Sequence, residues 1–241
     1  MAVIERAGLS TTHLPRARPR KARPLAGEQL RRRIEALKPG DVFSIDRPIT
    51  VEEFCEYVSD EWVAELVDGV ITIMTPPSDP HEALSGWLFN VLGPYVQTRG
   101  LGEVRAGRSG VLISSTSLRE PDLLFFQKSR LDQMTERGVH GAPDLAVEIV
   151  ESSRARREAV RKQVQYELIG IREYWVIDRP QREVRQWLLE GARYELLRLQ
   201  PGDELVSRTI EGFHLQVAWL FQGPEFPSIL DVVNGLLAGA E

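Results

Sequence analysis

The sequence predicts an α/β fold. Apolar and β-branched runs of strand length are interspersed with segments of helical period along most of the 241 residues. Residues 143–178 read strand, helix, strand, a βαβ unit whose two strands should be parallel neighbours in a right-handed crossover. From residue 183 onward, strand-like runs are parted by the turns Glu190-Gly191 and Pro201-Gly202, the pattern of a meander.

The elements follow in order. Residues 1–26 carry Pro15, Pro19 and Pro24 among arginines without periodicity and read as a disordered tail. A short charged helix is expected over 27–38, so residues 1–40 form a basic N-terminal segment ahead of one domain over 41–241. Thr50-Val-Glu-Glu53 is a capping box and opens a helix to about Val58. Residues 65–74 read as two strands about an Asp68-Gly69 turn. After Pro-Pro-Ser-Asp-Pro a helix runs from about His81 to Thr98, with Leu84, Leu88, Val91 and Tyr95 on its apolar face and Gly100 as its stop. Strands are expected at 102–106, 109–114 and 121–126, then a polar connection with a helical turn at 127–142. A strand at 143–150, a helix at 154–169 ended by Gly170 and a strand at 173–178 make the βαβ unit. The meander occupies 183–190, 193–199 and 204–207, and a last helix spans 228–237.

Composition narrows the function classes. Cys55 is the only cysteine, so an intrachain disulfide and a zinc site built on several cysteines are excluded, and a reducing compartment suits the chain. No run approaches the roughly 18 apolar residues of a membrane span, and the N-terminus lacks the order of a secretory signal. A cytoplasmic protein without a membrane partner is therefore expected. Residues 1–40 hold ten Lys/Arg and three Asp/Glu, a balance of +7; the remaining 201 hold 20 and 32, a balance of −12. A basic arm on an acidic body can mean nucleic-acid contact or a solvated leader. The chain has no internal repeat, no Walker-type phosphate loop, no Gly-x-Gly-x-x-Gly and no nucleophile elbow at Gly107-Arg-Ser-Gly110.

Two carboxylates stand out by their apolar neighbours. Asp122 precedes Leu-Leu-Phe-Phe, and Glu148 sits inside Leu145-Ala-Val-Glu-Ile-Val150. A carboxylate in a buried strand must be paired or bind a metal, because desolvating it alone is costly; one on a solvent-facing side needs neither. Lys162 adds to the pair. On helix 154–169 the stripe Ala155, Ala159, Lys162, Tyr166, Ile169 has the spacing of a core-facing seam. The competing stripe is Val160, Val164, Leu168; if that one alone is buried, Lys162 is a surface partner of Glu158. Glu148 lies about 10 Å before its strand ends and Lys162 about 12 Å into the returning helix, so the two come level. Two carboxylates and a lysine are the minimum kit for metal-assisted phosphodiester hydrolysis. Mg²⁺ prefers one or two carboxylates with waters completing its octahedron, and Mn²⁺ can substitute. The lysine would orient the attacking water or stabilise charge developing on phosphate.

Pro121-Asp122, Glu148-Ile-Val150 and Lys162 with Tyr166 resemble the PD-(D/E)XK nuclease superfamily. More narrowly, the chain is similar to the bacterial putative restriction endonuclease family, formerly a domain of unknown function. The matching stretches also include Glu65-Leu-Val-Asp-Gly69, Pro77 to His81 and Gly170-Ile-Arg-Glu-Tyr-Trp175, in order over about residues 50–220. The resemblance implies a restriction-endonuclease-like core, a mixed central β-sheet flanked by α-helices, with a divalent metal. It implies Asp122, Glu148 and Lys162 as catalytic residues, the two carboxylates as metal ligands, and Glu65, His81 and Tyr166 at the periphery. The superfamily's usual lysine position, two residues after the Glu, is Val150 here, and the family pattern places the lysine on the next helix, at Lys162. Two positions depart: Glu151 stands where the family commonly has Ser, crowding the loop with charge, and Glu158 where it commonly has Asp.

The leading expectation is a metal-dependent endonuclease acting on nucleic acid, DNA before RNA, with homodimerisation compatible. The alternatives are a catalytically silent descendant serving as a DNA-binding or protein-interaction module, and a hydrolase of a smaller phosphoester. An exposed basic rim beside the site would favour nucleic acid, and a closed pocket the last. His81 can equally be a structural histidine, Glu65 can simply open a strand, and Tyr174 and Trp175 read as core rather than as a stacking platform. His140 and His214 are assigned nothing.

Overall fold

The computed structural model describes residues 3–5, 27–59, 61–107, 109–135, 138–223 and 225–239. The tail expected over 1–26 falls largely outside them. Its first residues do not: strand β1 (Val3–Glu5) pairs antiparallel with β2 (Val42–Ser44), contrary to a reading that treated the whole segment as tail. Valine and isoleucine favour extended backbone, and β2 supplies the ladder.

The described chain forms two compact units, residues 1–76 with 112–120, and residues 77–111 with 121–241. The first also contains helix α1 (Glu28–Glu35), helix α2 (Val51–Tyr57), and strands β3 (Ala64–Val67) and β4 (Val70–Ile73). Helix α1 fits the short charged helix expected there, and buries Leu30 and Ile34. The capping box of α2 is complete: Glu53 N–H donates to Thr50 Oγ1, and Thr50 N–H to the Glu53 carboxylate.

The Asp68-Gly69 hairpin forms as expected, with both residues at positive φ, 50° and 77°. A Cβ at Gly69 would lie 2.4 Å from Pro48 Cα and 2.7 Å from Ile49 N. Gly69→Ala therefore meets left-handed strain and a backbone clash together. It should lower unfolding free energy by about 2 kcal/mol or more, read by urea denaturation; a change under ~0.5 kcal/mol would mean the turn relaxes freely.

The second unit opens with α3 (Asp79–Thr98) and β5 (Gly102–Ala106); β6 (Gly110–Ser114) then crosses the unit boundary, and β7 (Ser117–Arg119) returns to the first unit. Helix α3 starts two residues before the expected His81. Ser78 accepts from His81 N–H as N-cap, and Pro80 sits in the first turn, where it needs no N–H partner. The rest of the chain gives β8 (Leu123–Gln127), β9 (Val139–His140), β10 (Leu145–Val150), α4 (Ser153–Ile169), β11 (Glu173–Asp178), β12 (Glu183–Glu190) and β13 (Arg193–Leu199). Then come β14 (Glu204–Val206), β15 (His214–Gln216) and α5 (Ile229–Ala238). A 3-10 turn over Lys128–Gln133 is the helical turn of the polar connection.

The expected α/β fold of mixed sheet and helices is present, with two large sheets, seven- and six-stranded. In the first unit the order β1-β2-β4-β3-β7 is antiparallel where paired, and in the second the start of β6 pairs parallel with β9. The sheet that matters for the site is six-stranded, ordered β13-β12-β11-β10-β8-β5. Its β10 and β11 are parallel, with Glu148 opposite Val176, as the βαβ pattern requires; its other pairs are antiparallel.

Alternation along the strands separates two faces. Leu123, Phe125, Leu145, Val147, Ile149, Trp175 and Ile177 enter a core with Leu84, Leu88, Val91 and Tyr95 of α3 and Val232, Val233 and Leu236 of α5. Glu148 and Tyr174 take the opposite face, where α4 lies: Lys162 reaches Glu148, and Tyr174 Oη–H donates to Ala159 O at 3.3 Å. The same helix also touches the start of the edge strand β13. Tyr194 N–H of β13 donates to the Glu167 carboxylate at 2.9 Å, and Arg193 pairs with it.

Candidate active site

The helical seam decides the first question left by the sequence. Ala159, Lys162 and Tyr166 are buried on α4, whereas Val160, Val164 and Leu168 are 46%, 60% and 83% exposed. Glu158 pairs with Arg161 at the surface, and Lys162 is 5% exposed. Its Nζ stands 2.6 Å from Glu148 Oε1. The levels estimated from strand and helix rise thus meet. Glu148 keeps 12% of its side chain exposed, so the pair sits at the rim of the layer rather than sealed within it.

Asp122 lies immediately before β8, not inside it. The ladder of β8 and β10 ends at Leu123↔Val147, so Asp122 stands just beyond it, next to the stretch of β10 that carries Glu148. Asp122 N–H donates to Val147 O at 3.0 Å, and its Oδ2 accepts from Ile149 N–H at 2.6 Å. The carboxylate is therefore aimed by the backbone of the very strand that carries Glu148. Its other oxygen, Oδ1, is 3.2 Å from His81 Nε2. Burial opposes protonation of His81, but the hydrogen bond with Asp122 and the charges of Asp122, Glu151 and Glu82 outweigh it and raise its pKa.

Sequence reasoning missed what holds α3 against this strand. Glu151, expected to crowd the loop, has its charge matched by Arg179 and accepts from Ser78 Oγ–H at 2.5 Å. Ser78 caps the helix that carries His81. The local signal was Ser78-Asp-Pro80, which reads as a turn and as a helix start alike. Tyr166 is fully buried, edge-to-face on Tyr174 with ring centroids 5.0 Å apart. Burial, then the nearby Glu148 charge, pushes the Tyr174 hydroxyl well above its ordinary pKa, so it stays a neutral donor.

Comparison with known proteins bears on what such a site belongs to. The model of the Uma2 family, described as "Putative restriction endonuclease", matches residues 51–218. The chain belongs to this family. A solved structure of a putative nuclease belonging to DUF820, from Anabaena variabilis, is similar over 72% of this chain and 98% of its own. Its TM-score is 0.61 at 21% identity, so the likeness is one of fold. No curated protein matches the chain.

Within this Uma2-family chain, Asp122, Glu148, Lys162, His81 and Tyr166 all fall in the second unit: Lys162 pairs with Glu148, and Asp122 bonds both Ile149 N–H on the strand of Glu148 and His81. Glu65 falls in the first unit. It is 4% exposed, accepts from Arg119 at 2.9 Å and from Glu120 N–H at 3.2 Å. Asp122, just before β8, and Glu148, on β10, are the carboxylates that would hold a magnesium ion, with water and substrate completing its octahedron. Among the described residues no group of three or more His, Cys, Asp or Glu is arranged to hold a metal. No helix is long and apolar enough to cross a membrane.

Proposed function

We propose that this chain is a Mg²⁺-dependent endonuclease that hydrolyses phosphodiester bonds of DNA, with Asp122, Glu148 and Lys162 at its catalytic centre. The observation that supports this most is the Lys162 ammonium 2.6 Å from Glu148, beside an Asp122 carboxylate tied to the same strand through Ile149 N–H. A cation held by the two carboxylates would polarise the phosphate and acidify a bound water. The protein's own part is preorganisation. Ile149 N–H fixes the Asp122 carboxylate, and His81 holds its second oxygen. Lys162, locked in the α4 seam, presents a compact positive charge where the phosphate gains negative charge. Mn²⁺ should substitute for Mg²⁺.

Purified protein should nick plasmid and cut duplex in Mg²⁺ or Mn²⁺ and do neither in chelator. Failure on duplex, single-stranded DNA and RNA with either metal would sink the enzyme reading; binding retained without cleavage would leave the silent module. Metal binding has a second readout. At about 100 times its Kd a cation stabilises the fold by ~2.7 kcal/mol, several degrees in Tm for a chain of this size. Asp122→Asn with Glu148→Gln should erase that rise. An equal rise in both proteins would place the ion elsewhere.

A further inference from the structure

The outer surface of α4 is chemically distinct from the acidic body it covers. Arg154, Arg157 and Arg161 are exposed, and their spacing of three and four residues puts them on one side of the helix. Arg161 is 74% exposed and meets Glu158, an exposed pair of little strength. Arg154 and Arg157 have no ion-pair partner among the described residues. The three span seven residues, roughly 10 Å at about 1.5 Å per residue. That is about the axial length of three nucleotides of one duplex strand, at ~3.4 Å each. Lys162 follows Arg161 directly and faces inward to Glu148. The strip therefore runs along the same helix that lines the candidate site, starting where β10 ends.

We infer that the Arg154, Arg157 and Arg161 strip is the surface on which the phosphodiester backbone of the substrate lies, leading a strand to Glu148 and Lys162. The inference rests on the nuclease reading and deepens it. Charge complementarity selects the occupant. Residues 41–241 carry a balance of −12, so an exposed strip of three arginines, two of them without an ion-pair partner among the described residues, is where a polyanion would be attracted to this body. An anionic membrane is the weaker match. The inward face of α4 is occupied by packing through Ala159, Lys162 and Tyr166, and its outward apolar residues, Val160, Val164 and Leu168, include no aromatic anchor.

The test is the salt dependence of binding of the full chain to a labelled 30-base-pair duplex, in chelator so that nothing is cut. Loss of three phosphate contacts should lower the slope of log K against log salt by about 2.7. Between 50 and 200 mM salt the wild type should therefore lose on the order of 40-fold more affinity than Arg154→Gln/Arg157→Gln/Arg161→Gln. The control Arg193→Gln/Arg198→Gln/Arg208→Gln removes equal charge elsewhere on the same unit and should leave the slope near wild type. An unchanged slope in the first variant, or an equal fall in the control, overturns the inference. So does a variant that loses binding to phosphatidylserine vesicles while its DNA slope stays put. A normal slope change with no cleavage in Mg²⁺ would instead count against the catalytic reading, so the two failures are separable.

Discussion

Lys162→Ala should cut the rate of DNA cleavage by about 10²–10³-fold, the size expected for removing one preorganised charge-stabilising donor. The lysine is held by the α4 seam and by Glu148 at 2.6 Å, so the loss should appear in kcat rather than in duplex binding. Circular dichroism should show the fold retained, because Glu148 is 12% exposed and water can take the place of the ammonium. Lys162→Arg should recover little, since a planar fork does not replace a compact cation. Adding Val150→Lys to Lys162→Ala should restore part of the rate. Val150 is two residues beyond Glu148 on β10 and shares its face, while Leu145, Val147 and Ile149 take the other. Cleavage by Lys162→Ala at the wild-type rate would show that the assigned centre is wrong. A dead single variant with no recovery in the double would keep the role of Lys162 and discard the idea that it replaces a strand lysine.

The largest stability effect is expected far from that chemistry, at Glu173. Its carboxylate is fully buried, and the groups that satisfy it are neutral donors. Oε2 accepts from Ser207 Oγ–H at 2.9 Å, from Arg208 N–H and Thr209 N–H at 2.9 Å, and from Thr209 Oγ1–H at 2.8 Å. Oε1 accepts from Trp175 Nε1–H at 2.7 Å and Gln186 Nε2–H at 2.6 Å. Glu173→Ala leaves these donors facing a hole, and each stranded donor costs about 1–3 kcal/mol, with less than full additivity. A loss of roughly 4 kcal/mol or more is expected in urea unfolding, enough to leave little folded protein at 37 °C. Glu173→Gln should fall between, because one oxygen becomes a donor pointed at donors. A loss under ~1.5 kcal/mol in Glu173→Ala would mean that the loop over 207–209 rearranges and the network contributes little.

What could be read in the sequence was what depends on period. The α4 seam followed from 3.6-residue spacing, and it brought Lys162 to Glu148; the parallel pairing of β10 and β11 followed from the βαβ pattern. What could not be read depends on partners distant along the chain. Strand β7 exists because Leu118 finds Leu66 on β3, and its three residues carry no pattern of their own. Asp122 stands before its strand because its side chain, not its backbone carbonyl ladder alone, ties it to β10. Glu151 looked like excess charge because Arg179 and Ser78, which absorb it, are 28 and 73 residues away. The division of the chain into two units left no mark in composition at all.

Helix α4 faces three ways at once. Lys162 points in, the arginines point out, and Glu167 accepts from the start of the edge strand. All three depend on angle around one axis, at about 100° per residue. A single residue inserted between Ser153 and Arg161 would swing everything beyond it by that angle and take Lys162 and Glu167 off their marks together. The exposed positions outside the arginine strip, such as Val160, Val164 and Leu168, can vary in side chain, but the helix cannot vary in length by one: it is a segment tolerant of spelling and intolerant of counting.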